Sequence, residues 1–193
     1  MENLLFLICI VLFSLTIIIA YKFNKLKNIE YKKPDILSDK KILIVYCSNG
    51  GHTKSVGENL FSIVGGDLKE IVLTEKYPKN IFKMSNLVRK QLKENYLPKI
   101  EDIDISNYDI IFAGSPIWGF SAALPLKSFL KNNNFENKTL IPFFTYSGGA
   151  CKNKVLNELR HYTNAEEIKT PLFMFENGIF LTKQQIIKWL NNI

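Results

Sequence analysis

Between Leu4 and Tyr21 the chain runs for 18 residues without a charged side chain, interrupted only by the hydroxyls of Ser14 and Thr16. As a helix such a segment extends about 27 Å, close to the roughly 30 Å of a bilayer's hydrocarbon. It has to lie in lipid, be cut away, or be buried by other protein. A cleaved signal peptide needs a basic leading region and a small-x-small cleavage site. Here the sole charge before the run is Glu2, and Thr16 to Tyr21 reads TIIIAY. The expectation is an uncleaved transmembrane anchor over residues 1–21, in preference to a signal peptide or a core helix.

Lys22, Lys25, Lys27, Lys32 and Lys33 follow directly, and lysines next to a span mark its cytoplasmic side. They also suit an anionic lipid surface. Residues 22–40, polar and containing Pro34, read as a linker that could stretch by roughly 60 Å and let the rest of the chain roam near the bilayer. The expected location is the cell membrane, single-pass, with the body in the cytoplasm. Cys9, Cys47 and Cys151 would there remain thiols, and the sequon Asn137-Lys138-Thr139 would be a chance match.

Residues 41–193 read as one domain, because 47% hydrophobic and 22% charged residues exclude a disordered chain. Three widely spaced cysteines and two histidines, His52 and His161, offer neither a disulfide framework nor a zinc-type spacing, so no metal site is expected. The net charge is +7. No stripe of aromatic and basic residues accompanies it, so nucleic acid is not an expected partner.

From Lys41 onward, strand and helix patterns alternate. Ile42 to Tyr46 is continuously apolar, as in a strand covered on both faces. Further strands are expected at Leu68–Leu73, Tyr108–Gly114, Thr139–Tyr146 and Ile168–Phe175. Helices are expected at Thr53–Val64, Asn80–Asn95 with Ile81, Met84, Val88 and Leu92 as its apolar stripe, Ala122–Lys131, Lys154–His161 and Thr182–Asn192. Five strands alternating with five helices imply an α/β, doubly wound sheet. Pro142 sits awkwardly inside the fourth strand, because it cannot donate to a ladder.

Ligands of such sheets bind at the carboxyl ends of the strands. After the first strand come Ser48, Asn49, Gly50, Gly51, His52 and Thr53, leading into a helix. Glycines and hydroxyls at a helix start form a nest for an anion such as phosphate. Neither the GxxxxGK[ST] nor the GxGxxG pattern is present. After the third strand come Ser115, Pro116, Ile117, Trp118 and Gly119, where the tryptophan is placed to cover a flat aromatic ligand. After the fourth come Thr145, Tyr146, Ser147, Gly148 and Gly149. Cys47 ends a buried strand and reads as a core thiol.

These three loops, in this order, resemble those of the flavodoxin-like family, specifically its small single-domain proteins that bind flavin mononucleotide (FMN). The first matches the family's S/T-x-S/T-G-x-T phosphate loop at Ser48, Gly51 and Thr53, with Gly50 where a hydroxyl residue is usual. The stretch Tyr108 to Leu130, with GSPIW and Pro125, and the segment NKTLIPFFTYSGG resemble the second and third flavin loops. The likeness covers residues 41–193; the N-terminal anchor is an addition to the usual pattern. It implies a five-stranded parallel sheet of order 2-1-3-4-5 with helices on both faces, preceded here by one transmembrane helix. It also implies FMN on the sixteen loop residues named above, with its phosphate on residues 48–53 and its ring between the other two loops.

The function implied is electron transfer or oxidoreduction, with the flavin itself taking the electrons and no catalytic side chain required. A quinone, NAD(P)H or a redox protein would be the partner, and the bilayer the place of attachment. The alternative is a binding domain that kept the fold and lost flavin chemistry.

Overall fold

The computed structural model of the chain describes residues 2–27, 29–78, 80–176 and 182–193. Its elements, in chain order, are α1 (Glu2–Lys27), a 3-10 turn (Asp35–Leu37), β1 (Ile42–Tyr46), α2 (His52–Val64), β2 (Asp67–Glu70), α3 (Ile81–Lys93), β3 (Ile110–Trp118), β4 (Ser121–Ala122), α4 (Leu124–Asn132), β5 (Thr139–Tyr146), α5 (Lys152–Leu159), β6 (Glu167–Ile168), β7 (Leu172–Phe175) and α6 (Thr182–Leu190).

The central strands are largely apolar, and buried along almost all of their length, because both of their faces are covered. Along β1, Leu43 and Val45 join one buried cluster with Leu126 and Phe129 of α4 and Val155 and Leu159 of α5. Ile42, Ile44 and Tyr46 join the other with Val56 and Leu60 of α2 and Ile186 and Leu190 of α6. The pleat sends alternate residues to opposite faces, so one short strand seals two cores.

The sheet runs β2-β1-β3-β5-β6, with β7 also on β5 and β4 on β3. This keeps the expected doubly wound arrangement but corrects it in two places. The expected fifth strand is broken into β6 and β7, both parallel to β5, with Pro171 in the break. The expected third strand, Tyr108–Gly114, instead runs on to Trp118 and turns back as β4, so the sheet is not wholly parallel.

The break also accommodates Pro142, which lies in register with Ala113. Lys169 N–H donates to Leu140 O and Glu176 N–H to Tyr146 O. Even-numbered positions of β5 therefore aim their backbone at β6 and β7, and the amide hydrogen that Pro142 lacks would fall in the gap between them.

Helix α1 is 26 residues long, and every side chain described from Phe6 to Tyr21 is exposed. Among the described residues no helix is long and apolar enough to cross a membrane. The described side chains of that run number sixteen, two fewer than the uncharged run in the sequence. The expected span is thus not found as such in the fold.

The expected free linker is also corrected. Residue 28 lies outside the described residues, but α1 reaches Lys27, and the segment after Asn28 is fastened to the domain. Asn191 accepts from Lys32 N–H (3.1 Å) and its amide donates to Glu30 O (2.9 Å). Leu37 is 0% exposed and belongs to the cluster of α2 and α6, with Tyr31 and Ile36 packed against it. The physical reason is that these apolar side chains, set among charged ones, find an open edge of the core.

Leu37→Ala should therefore cost about 2–5 kcal/mol of stability, the range for a fully buried leucine. Denaturant unfolding of the full chain measures it, and a change below about 0.5 kcal/mol would mean the strap does not belong to the core.

Candidate functional site

The carboxyl ends of β1, β3 and β5 open into a cleft of about 690 Å³, within the usual size range of a small-ligand site. Its lining from the first loop is Ser48, Asn49, Gly50, His52 and Thr53. The second loop contributes Pro116, Ile117, Trp118, Gly119 and Phe120, and the third Ser147.

The first loop is held open by its own backbone. Cys47 N–H donates to Gly114 O (3.0 Å), and Gly51 N–H donates to Ser48 Oγ (3.1 Å). Gly51 caps α2 at φ +87°, a conformation that favours glycine. Ser55 N–H starts the helix by donating to Gly51 O. The backbone N–H groups of Gly50, His52, Thr53 and Lys54 have no acceptor among the described residues. Unpaired donors at a helix start make a site for an anion.

Thr53 is 1% exposed, and its hydroxyl lies 2.8 Å from that of Thr145, which is equally buried. The pair ties the first loop directly to the third. One of the two hydroxyls keeps its proton for a further acceptor, because only one proton is used between them.

The second loop is a tight hairpin. Ile117 pairs with Ala122 and Trp118 with Ser121, and the two residues between, Gly119 and Phe120, both have positive φ (57° and 64°). Such a turn matches the twist of the strands, and it leaves Phe120 exposed at the cleft mouth. Behind Trp118, the Tyr77 ring meets it edge-on at 5.2 Å, and the Tyr77 hydroxyl donates to Gln91 Oε1 (2.8 Å). Burial pushes the Tyr77 hydroxyl pKa up.

Six expected residues support the cleft without lining it. Gly51 caps the helix. Ser115 is 0% exposed and accepts from Ala123 N–H (3.3 Å), holding the hairpin base. Thr145 braces Thr53. The Tyr146 ring packs on Phe175 at 5.5 Å. Gly149 leaves room beside Phe120, whose ring a Cβ there would meet at 3.2 Å, while the Cβ position of Gly148 faces open space. Burial pushes the Cys47 thiol up to about 12, consistent with a core thiol.

A fourth wall was not legible in the motifs: Met84, Ser85, Val88, Arg89 and Leu92 of α3, joined by Glu176 after β7. The stripe Met84, Val88, Leu92 has the spacing of a core face, and that spacing gives no sign that it borders a cleft. Asn80 caps α3 by accepting from the Phe82 and Lys83 N–H groups.

Behind the hairpin a buried lysine pairs with a partly exposed glutamate. Lys127 is 2% exposed and donates to Glu158. Ser121 Oγ donates to the same carboxylate (2.9 Å), and the Lys127 ammonium sits 5.2 Å from the Tyr162 ring centre. The group joins β4, α4 and α5, the elements that follow the second and third loops.

The fold and cleft define a doubly wound α/β protein with backbone donors that lack an acceptor among the described residues, and an aromatic loop, at the carboxyl edge of its sheet. A flavodoxin family model matches residues 41–193; the chain belongs to the flavodoxin family. It is similar to a protein of Bacteroides eggerthii assigned to the flavoproteins, at 27% identity over 80% of this chain and 98% of that one, with a TM-score of 0.66. It is similar to a flavoprotein of Lactobacillus acidophilus solved in complex with FMN, at 26% identity over 78% and 98%, TM-score 0.60. An NADH:FMN oxidoreductase solved in its apo form shares the fold, at 19% identity over 79% and 87%, TM-score 0.53. No curated protein matches the chain.

Glu158→Ala would leave the Lys127 ammonium buried without its carboxylate, and the expected loss is about 3–5 kcal/mol of stability. Adding Lys127→Met should recover most of it. A loss under about 1 kcal/mol, as for the exposed Lys54–Glu58 pair, would place the ammonium in water.

Proposed function

We propose that this chain is an FMN-binding redox protein held at a membrane by α1. The observation that carries the cofactor reading is the placement, on one cleft, of unpaired N–H donors at the start of α2 and of Trp118 across from them. The FMN complex of the Lactobacillus acidophilus relative supports the same ligand.

In this reading Ser48, Asn49, Gly50, His52 and Thr53 hold the phosphate, with Gly51 shaping their turn. Pro116, Ile117, Trp118 and Gly119 border the ring from one side, on a hairpin that Ser115 fixes at its base. Ser147 borders it from the other, with Thr145, Tyr146, Gly148 and Gly149 behind. Bound FMN supplies the electron chemistry, as hydride or single electrons. The protein's part is to bind and orient the ring, to keep water from it with Trp118 and α3, and to set its potential through the groups around it. No side chain has to act as an acid or base.

The anchor reading rests on α1. A helix apolar on all sides and exposed on all sides has no partner in water, and lipid is the partner that the uncharged run from Leu4 to Tyr21 and the five lysines after it suit. The body then faces the cytoplasm, and the electron partners this placement favours are a quinone or a redox protein of the same membrane, with NAD(P)H as a donor from solution.

The full chain in detergent is expected to bind FMN about one to one and to quench its fluorescence. Trp118→Ala should weaken binding by about 1 kcal/mol beyond the lost contact area and shift the flavin potential. A colourless protein that leaves flavin fluorescence unchanged would instead favour a flavodoxin-fold binding domain. For the anchor, the protein should stay with membranes through an alkaline wash; release into the supernatant would count against it.

A further inference from the structure

Helix α3 spans the cleft from one functional loop to the other. At one end Asn49 Nδ2 lies 3.1 Å from Met84 Sδ. At the other, a Cβ on Gly119 would meet Leu92 Cδ1 at 3.3 Å. Met84, Val88 and Leu92 form one row at four-residue spacing, and Ser85 and Arg89 form the next; all five line the cleft. The helix thus presents a polar row to the ligand space beside its apolar one.

Arg89 is the sole lysine or arginine among the lining residues. It makes no ion pair with any described carboxylate. The nearest cation in sequence to the anion nest, Lys54, pairs with Glu58 on the outer side of α2 (3.9 Å) and does not line the cleft. The nest therefore offers dipoles but no lysine or arginine charge of its own, whereas a phosphate monoester brings about −1.5 to −2 at neutral pH. Helical side chains lean toward the helix N-terminus. Arg89 therefore leans over the turn of Ser85, toward the half of α3 whose Met84 meets Asn49 of the first loop. The one carboxylate on the lining, Glu176, is placed with the third loop, its N–H donating to Tyr146 O.

The geometry points to Arg89 as the counter-charge for the phosphate of FMN, which makes α3 a wall of the phosphate site and the element that selects phosphorylated over unphosphorylated flavin. This rests on the cofactor reading above. A guanidinium can offer a phosphate two parallel N–H donors, which replaces the donor lost where Gly50 stands in the first loop.

The test compares the affinities of the full chain for FMN and riboflavin by fluorescence quenching. Arg89→Gln should weaken FMN about tenfold or more and riboflavin less than twofold. It should also flatten the salt dependence of FMN binding. Arg89→Lys, which keeps the charge, should recover most of the FMN affinity. Arg89 is exposed, so the melting temperature of the ligand-free variants should match that of the parent. Equal losses for the two flavins, an Arg89→Gln chain that binds FMN as the parent does, or an Arg89→Lys chain as weak as Arg89→Gln would each overturn the assignment. A parent chain that binds neither flavin overturns the cofactor reading itself, and this assignment with it.

Discussion

Burial of the central strands on both faces is the constraint from which the rest of the structure follows. β1, β3 and β5 have no free face, so they can present chemistry only where they end. The two clusters that seal them are built from alternate residues of the same five- to nine-residue strands. A slip of one residue would exchange every side chain between the two cores. Gly114 illustrates how tightly the register is held: it pairs with Tyr46 on one side and Phe143 on the other, and a Cβ there would come within 2.1 Å of the Phe143 ring. Loops that leave strands fixed to this degree start from known points, and the first and third meet through the hydroxyls of Thr53 and Thr145.

The elements most legible in the sequence were those set by local pattern. The continuous apolar run at Ile42–Tyr46 and the span Thr139–Tyr146 fall where expected, and the helix ends lie within a few residues of their expected places, where Gly65 and Asn80 act as punctuation. What local pattern could not supply was the identity of the surface that each apolar face would meet. Leu37 and Tyr31 looked like incidental apolar residues in a polar stretch, yet they complete a core built mainly from residues far along the chain. The stripe on α3 had the spacing of a core face and turned out to border the cleft. Ser115 and Thr145 carried the right chemistry for a ligand loop, but their hydroxyls are spent on Ala123 and Thr53. Pro142 and Pro171 each looked like a local fault, and only the pairing of β5 with two short strands explains both at once.

The buried lysine shows a second kind of fixing. An ammonium held in an apolar setting needs partners for its charge, and here Glu158 and the Tyr162 ring supply them. Because the partners come from α4, α5 and β4, their geometry is satisfied only when the hairpin and the helix after the third loop are both in place. Such a group adds little net stability compared with apolar packing, but it discriminates strongly against arrangements in which one loop has shifted. The cleft is thus framed by two cross-links of different chemistry, one of neutral hydroxyls inside it and one of charges behind it.

The strap of residues 30–37 has a consequence for reach. It is fastened beside the end of α6, the end of the domain at which the strands begin, whereas the cleft opens where they finish. From Tyr21 to the fastening at Glu30 there are six residues of helix and three beyond it, a reach of roughly 20 Å while the helix holds. The nine residues of β3 alone rise about 26 Å. With the strap docked and α1 helical to Lys27, the fastening and the mouth of the cleft lie at opposite ends of the domain. A molecule entering the cleft therefore meets the domain at the end opposite the fastening, as a ship at mooring is loaded from the side away from its line.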